Sequence, residues 1–411
     1  MPTPIPSTNF WFILGRESLI AAAEIDAVLN LKKYDYSLLI LKAESVLEPK
    51  KIIDRLGGTI KIAKELATNI KENELEKIVT ENLKTVSGKI NFGISIYSFD
   101  EDAVSNLKLA EDFGKKIKRG LKEEGLSVRY VENKEAILSS VTVTKNNLTG
   151  RGREFLIQKH RVSMDGTRYD SAESNKDDTF SIAQTEAVQP FEQFSARDFG
   201  RPGRDDLSGM LPPKLAMILI NLAQTPLDSI LLDPFCGSGT ILSEALLLDY
   251  KNLIGSDISE KAVADTKINI DWVAKKFQKE LPSNKIFKSE VLELSKKLHA
   301  DSVDAIITEP LLGKPLRGQE TKHELLSQAN QLKDLYLRAF QQFYKILKPG
   351  GKVVFIIPRF KHTNEWITIE CKNEIEKIGF VALPFFEDQL RLVYSRPNQR
   401  VAREIWRFEK K

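Results

Sequence analysis

Apolar residues fall in short clustered runs along this chain, each closed by glycine, proline or polar residues. Residues 9–16, Asn-Phe-Trp-Phe-Ile-Leu-Gly-Arg, predict a buried strand ending at Gly15. From Ser18 the spacing of Ile20, Ala23, Ile25 and Leu29 predicts a helix with these side chains near one face. Strand signals return at Tyr36–Leu41. A helical segment around Lys50–Leu56 stops at Gly57-Gly58, and Thr59–Ala63 predicts another strand. Strand, helix, strand, helix, strand in so short a stretch predicts a small α+β domain over residues 1–72.

A second unit is expected over residues 73–162. Residues 90–98 alternate as a half-buried strand does. Phe113, Ile117 and Leu121 then give a helix its core face, and Lys115, Lys116, Lys118, Arg119 and Lys122 form a basic stripe beside it. Val128–Val131, Ser139–Thr144 and Glu154–Gln158 read as strands. The polar stretch 163–179 reads as a surface loop or hairpin tip, and Phe191–Leu211 as a connector, so residues 163–205 are expected to be loop and linker. From Lys214 onward helices and short apolar runs alternate, which predicts a doubly wound parallel sheet over residues 206–411.

Composition narrows the picture only a little. The 411 residues are too many for one ordinary core. The 61 basic and 57 acidic residues leave +4, too small a balance to indicate a nucleic-acid partner by itself. Cys236 and Cys371 form no CxxC pair, which fits a reducing cytosol. His160, His299, His323 and His362 lack metal-ligand spacing, so no metal is expected. No apolar run approaches the roughly 20 residues that span a bilayer. The start, Met1-Pro-Thr-Pro-Ile-Pro, lacks the basic region of a signal peptide. A cytoplasmic protein, without membrane association, is expected.

The sharpest local signal is Ile230-Leu-Leu-Asp233-Pro-Phe235-Cys236-Gly237-Ser-Gly239-Thr240-Ile, an apolar strand running into a glycine turn and then a helix. Glycines let backbone approach a ligand where a Cβ would collide. A second strand, Asn252–Ser256, ends at Asp257, where a carboxylate can accept both ribose hydroxyls of a nucleoside. A dinucleotide fold would want a glycine where Leu242 stands, and Asp233 would repel a pyrophosphate. A cationic or neutral ligand such as S-adenosylmethionine suits this electrostatic setting better. A purely structural turn beside a capped helix is the bland alternative.

Asp233–Thr240 resembles the first motif of class I methyltransferases, in the version typical of RNA and DNA amino-group methylators. The resemblance implies that Asp233, Pro234, Phe235, Gly237, Gly239, Thr240, Asp257 and Ile258 hold S-adenosylmethionine, with Glu290 and Val291 at its adenine. Lys348-Pro-Gly350-Gly351 resembles the family's turn into a later strand, read as a helix ended by glycine. Thr308-Glu309-Pro310-Leu311-Leu312-Gly313 resembles in position the D/N-P-P-Y/F loop of amino methyltransferases. There the acid and a proline carbonyl accept hydrogen bonds from the exocyclic amine, and the ring stacks on the base. By that resemblance Glu309, Pro310 and Leu312 are the catalytic candidates, although glutamate replaces aspartate and leucine replaces the aromatic ring. Lys314 and Arg317 add two cations beside the loop. Simple strand termination at Glu309-Pro310 is the alternative.

The N-terminal half is similar to the THUMP-containing tRNA guanosine methyltransferases. The carrying strings are Phe10–Glu17, Arg55–Ala63, Asn91–Tyr97, Ser127–Val131 and Lys134–Val141. The connector from Arg197-Asp-Phe-Gly-Arg201-Pro-Gly-Arg204 to Ala216 resembles the segment before the methyltransferase domain of enzymes that modify guanosine 10. Tyr394–Ile405 resembles their last hairpin. The resemblance implies a ferredoxin-like domain, a THUMP domain gripping the tRNA acceptor end and a Rossmann-like methyltransferase domain. It implies a tRNA (guanine-N2-)-methyltransferase with tRNA as partner. The stripe Lys115–Lys122, together with Arg151, Arg153, Arg201 and Arg204, becomes a set of candidate phosphate contacts. A non-catalytic RNA-binding protein and a DNA amino methyltransferase are the two rival readings, and an activating protein partner is left open.

Overall fold

The structure, a computed structural model, describes residues 8–31, 33–37, 39–45, 48–98, 103–160, 178–204, 210–397 and 399–411. Its contacts divide the chain into two units. Residues 1–15, 31–54 and 59–191 form one, and residues 16–30, 55–58 and 192–411 the other.

The first unit is an eight-stranded sheet in the order β2-β3-β1-β4-β8-β7-β5-β6. Strand β1 (Thr8–Leu14) carries Trp11 and Phe12 fully buried on opposite faces, which accounts for its unbroken apolar run. Where the sequence predicts one strand at Tyr36–Leu41, the chain makes a hairpin of β2 (Tyr34–Tyr36) and β3 (Ile40–Ser45). Ser37 turns it by bonding the Ile40 carbonyl through both its backbone N–H and its hydroxyl. After α2 (Pro49–Ile53) comes β4 (Thr59–Ile70), longer than expected because its far half pairs with β8 (Thr179–Val188). Helix α3 (Glu72–Lys84) leads to β5 (Ile90–Tyr97), α4 (Ala103–Glu123) and β6 (Val128–Tyr130).

Ser139–Thr144 is not a strand. Ser139 caps α5 (Ser140–Lys145), its Oγ accepting the Thr142 N–H at 3.1 Å, so the cap overrides the β-branched residues that follow. Strand β7 (Arg153–His160) then lies between β5 and β8. The polar stretch 163–179 falls mostly outside the described residues. Inside the unit, Lys61 and Glu154 are buried together at 2.5 Å. The lysine also donates to the Leu138 carbonyl, and the Ser95 and Thr185 hydroxyls donate to the carboxylate.

The second unit contains α1 (Ser18–Leu29) and the C-terminal half. The segment expected to be a connector holds α6 (Phe191–Phe199), whose Arg197 is buried against Glu244 in a bidentate pair at 2.7 and 3.1 Å. The local excess of arginine and glycine suggests an exposed link, but these polar groups are consumed internally. Helices α7 (Pro213–Leu222), α8 (Thr240–Leu247) and α9 (Glu260–Phe277) interleave with β9 (Ile230–Asp233), β10 (Asn252–Asp257) and β11 (Ser283–Lys288). A 3-10 turn at Val291–Glu293 and α10 (Leu294–Lys297) precede β12 (Val303–Thr308). Helix α11 (Lys322–Ile346) runs into β13 (Leu347–His362). Leu347 is already extended, so no glycine ends the helix, and Gly350 takes its positive φ of 73° only later. Strand β14 (Glu365–Ile367), α12 (Lys372–Ile378), β15 (Phe380–Ala382), β16 (Arg391–Tyr394) and β17 (Val401–Lys410) complete the unit.

The sheet order is β11-β10-β9-β12-β13-β17-β15, with β14 on β13 and β16 on β17. Strands β9 to β13 run parallel, and β17 is antiparallel to β13. The order reverses between β9 and β12, and such a switch point opens a crevice beyond the strands' carboxyl ends. Asp233 and Thr308 end those two strands. Among the described residues no helix is long and apolar enough to cross a membrane.

Candidate active site

Asp233 is 1% exposed and accepts hydrogen bonds from the Thr308 hydroxyl at 2.6 Å and the Phe235 N–H at 3.2 Å. Burial pushes its carboxyl up to about 7, against the pull of those two donors. The negative charges of Asp257 and Glu309 push in the same direction as burial, so all three acids lie within electrostatic reach.

The turn that follows depends on two glycines. Gly237 has φ +50° and Gly239 φ +80°. A Cβ on Gly239 would press within 2.8 Å of Thr266, whereas one on Gly237 would point into open space. That opening lies beside Asp257, which accepts the Gly237 N–H at 3.0 Å and the Ser259 N–H at 2.9 Å. The turn is also held from behind. Thr266 Oγ1 donates to the Gly237 carbonyl, and the buried Asn269 amide donates to the Ser238 and Gly203 carbonyls. Phe235 is half-buried, Pro234 and Cys236 are buried, and burial drives the Cys236 thiol upward, so it stays protonated. Beyond Asp257, Ile258 is 62% exposed, Glu290 is exposed and Val291 buried.

Across the crevice, Glu309 pairs with Arg403, whose Nε lies 2.5 Å from its Oε1, and both side chains are 14% exposed. Pro310 is buried, Leu311 points outward, and Leu312 packs on the core. Tyr336 Oη donates to the Leu311 carbonyl at 2.6 Å and fixes the loop from below. The site therefore brings together a buried carboxylate, an open glycine bend, the acid that ends β10 and a third carboxylate held by an arginine. Among the described residues no group of three or more acid, histidine or cysteine side chains could hold a metal ion.

The basic candidates divide. Lys115, Lys118, Arg119, Lys122 and Glu123 line a surface hollow of about 350 Å³ along α4. Lys115 is paired with Glu111 and Lys116 with Glu76. Arg151, Lys314 and Arg317 are exposed. Arg153 is tied to the Gly150 and Gly152 carbonyls, and Arg204 is half-buried on the Phe199 carbonyl. Arg201 must be corrected. It is 5% exposed and donates to Thr240 Oγ1 and Met210 Sδ, so it braces the glycine turn and is withdrawn from any phosphate. Sequence reasoning missed Thr308 and Arg403. A threonine closing an apolar strand opposite Asp233 was readable in principle, but nothing near Arg403 links it to Glu309.

A family model described as "RMKL-like, methyltransferase domain" matches residues 201–381, and a second, described as "DNA methylase", matches residues 94–268. A probable tRNA (guanine(10)-N2)-dimethyltransferase of Methanothermococcus thermolithotrophicus is 33% identical over 147 residues, 36% of this chain and 80% of that relative. The chain belongs to this tRNA (guanine(10)-N2)-dimethyltransferase family. The member from Methanocaldococcus jannaschii is 38% identical over 105 residues, 26% of this chain. That match spans only 29% of the relative's length. The crystal structure of TrmN from Thermus thermophilus is 14% identical, with a TM-score of 0.54 over 98% of this chain and 100% of its own. That likeness establishes the fold, an α/β architecture with a Rossmann-like sheet.

Proposed function

We propose that the chain transfers a methyl group from S-adenosylmethionine to the exocyclic N2 amine of a guanosine in tRNA, at position 10. The observation that carries this reading is the reversal of strand order between β9 and β12, where Asp233 and Asp257 flank an open glycine bend and the neighbouring strand runs into Glu309. The residues fit the cofactor. Two carboxylates suit an ammonium group and a ribose diol, and the space over Gly237 admits a ligand that a Cβ would exclude.

When bound, S-adenosylmethionine supplies an electrophilic methyl group on a sulfonium sulfur. Asp233 would hold its amino group, Asp257 its ribose hydroxyls, and Ile258, Glu290 and Val291 its adenine, with Pro234, Phe235, Gly239 and Thr240 shaping the bend. Glu309 has one oxygen on Arg403 and keeps the other to accept an N–H of the guanine amine, with the Pro310 carbonyl as second acceptor. Orienting the nitrogen lone pair is the main demand, because the amine proton can leave after transfer. We assign residues 1–72 to a ferredoxin-like domain, 73–162 together with β8 to a THUMP domain, and 206–411 to the methyltransferase domain; the expected link over 163–205 instead gives β8 to the first sheet and α6 to the second unit. The hollow along α4, with Arg151, is assigned to tRNA phosphates and Lys314 and Arg317 to phosphates near the crevice. The protein is assigned to the cytoplasm, where tRNA is modified.

Transfer of labelled methyl to tRNA and to duplex DNA, by the wild type and by E309A, tests the reading. Label on tRNA alone, lost in E309A, is expected. Label on DNA alone, or cofactor binding without transfer to any RNA, would sink it.

A further inference from the structure

The loop that carries Glu309 has leucines at 311 and 312 and therefore no ring to lay against a base. The C-terminal hairpin brings one to the same place. Strands β16 and β17 pair antiparallel with Tyr394 directly opposite Arg403. Arg403 donates from Nε to Glu309, and its guanidinium carbon lies 6.0 Å from the Tyr394 ring centroid. Tyr394 is half-buried and packs on the same apolar cluster as Leu312. Arg396 Nε holds its hydroxyl at 3.1 Å, which fixes the ring's outer end. Ring, cation and carboxylate thus converge from segments distant in sequence.

We propose that Tyr394 is the ring on which the target base stacks, and that Arg403 is the positioning residue that aims Glu309 at the amine. The proposal rests on the methyl-transfer reading above. Glutamate is one methylene longer than aspartate and has one more torsion to fix. A guanidinium bonded to Oε1 removes that freedom and leaves Oε2 to accept. Tyr394 supplies the π face that Leu312 lacks. Both residues lie on the last two strands of the sheet, where neither the glycine turn nor the Glu-Pro loop points to them.

The test uses a tRNA transcript with 2-aminopurine in place of guanosine 10, which keeps the 2-amino group and reports stacking by quenching. Bound to this chain with S-adenosylhomocysteine, the probe should be quenched in the wild type and Y394F and bright in Y394L. Affinity for S-adenosylhomocysteine should match the wild type in both variants, which shows that the fold is intact. On ordinary tRNA, Y394L should lower kcat/KM roughly 5- to 160-fold, the worth of one stacked base. R403A should lose kcat with little change in KM, and added guanidinium ion should restore part of it. A probe quenched equally by Y394L, or not quenched by the wild type, overturns the role of Tyr394. An R403A variant with unchanged kcat overturns the role of Arg403. Absence of methyl transfer by the wild type would instead count against the functional reading, and the quenching result would still decide the ring.

Discussion

The Thr308 hydroxyl donates to the Asp233 carboxylate at 2.6 Å, so the last residues of β12 and β9 are bonded across the point where the sheet order reverses. On the function proposed above, this bond ties the cofactor-binding acid to the loop that receives the substrate, since Thr308 directly precedes Glu309. T308V keeps the shape and removes the donor. Asp233 then loses a bond that favours its ionised form, and affinity for S-adenosylmethionine at neutral pH should fall by about 1 kcal/mol, roughly fivefold. Calorimetry on T308V against the wild type checks this, and T308S should recover most of the loss.

Cofactor affinity should depend on pH through Asp233. Its pKa is raised by burial to about 7, so below that pH the carboxyl holds a proton that must leave when an ammonium group binds. Affinity should therefore fall as pH drops from 7 to 5, by about tenfold per unit, and level off above 8. The stability side has the opposite sense. A raised acid contributes stability that is full below its unfolded value and is lost as pH rises through 7. Binding titrations from pH 5 to 8.5 should show the slope in the wild type and a flat, weak profile in D233N.

The buried Lys61–Glu154 pair should be costly to break from one side. K61M strands a carboxylate that is fully buried, with only the Ser95 and Thr185 hydroxyls left on it. A loss of about 3–5 kcal/mol in unfolding free energy is expected, and the double variant K61M/E154L should recover part of it. Denaturant melts of the three proteins measure both numbers.

Along α4, the triple variant K118E/R119E/K122E should weaken tRNA binding without altering cofactor affinity. For every phosphate that no longer meets a cation, the slope of log affinity against log salt should shrink by about one. Filter binding at several salt concentrations reads that slope. An unchanged slope would move the RNA elsewhere on the surface.

Strand β1, the glycine turn and the acid that ends β10 were legible because each is a short local pattern with a single geometric consequence. Glycine at 237 and 239 is required by positive φ, so the motif carries its own geometric reason. Helix α5 was not legible, because Val141, Thr142 and Val143 favour strands locally and only the cap at Ser139 tips the balance. Arg201 misled for a related reason. Arginine beside glycine and proline reads as surface, and burial on Thr240 comes from packing between segments far apart. The same distance hid Arg403. Its bond to Glu309 spans 94 residues and exists only because β17 lies beside β13, next to β12 in the sheet.

Unmodified tRNA incubated with the protein and S-adenosylmethionine can be digested to nucleosides and mapped by mass spectrometry. Guanosine methylated on N2, located at position 10 and absent when E309A replaces the wild type, is expected. Methylation on another atom or another base, or none despite tight cofactor binding, would contradict the proposed function.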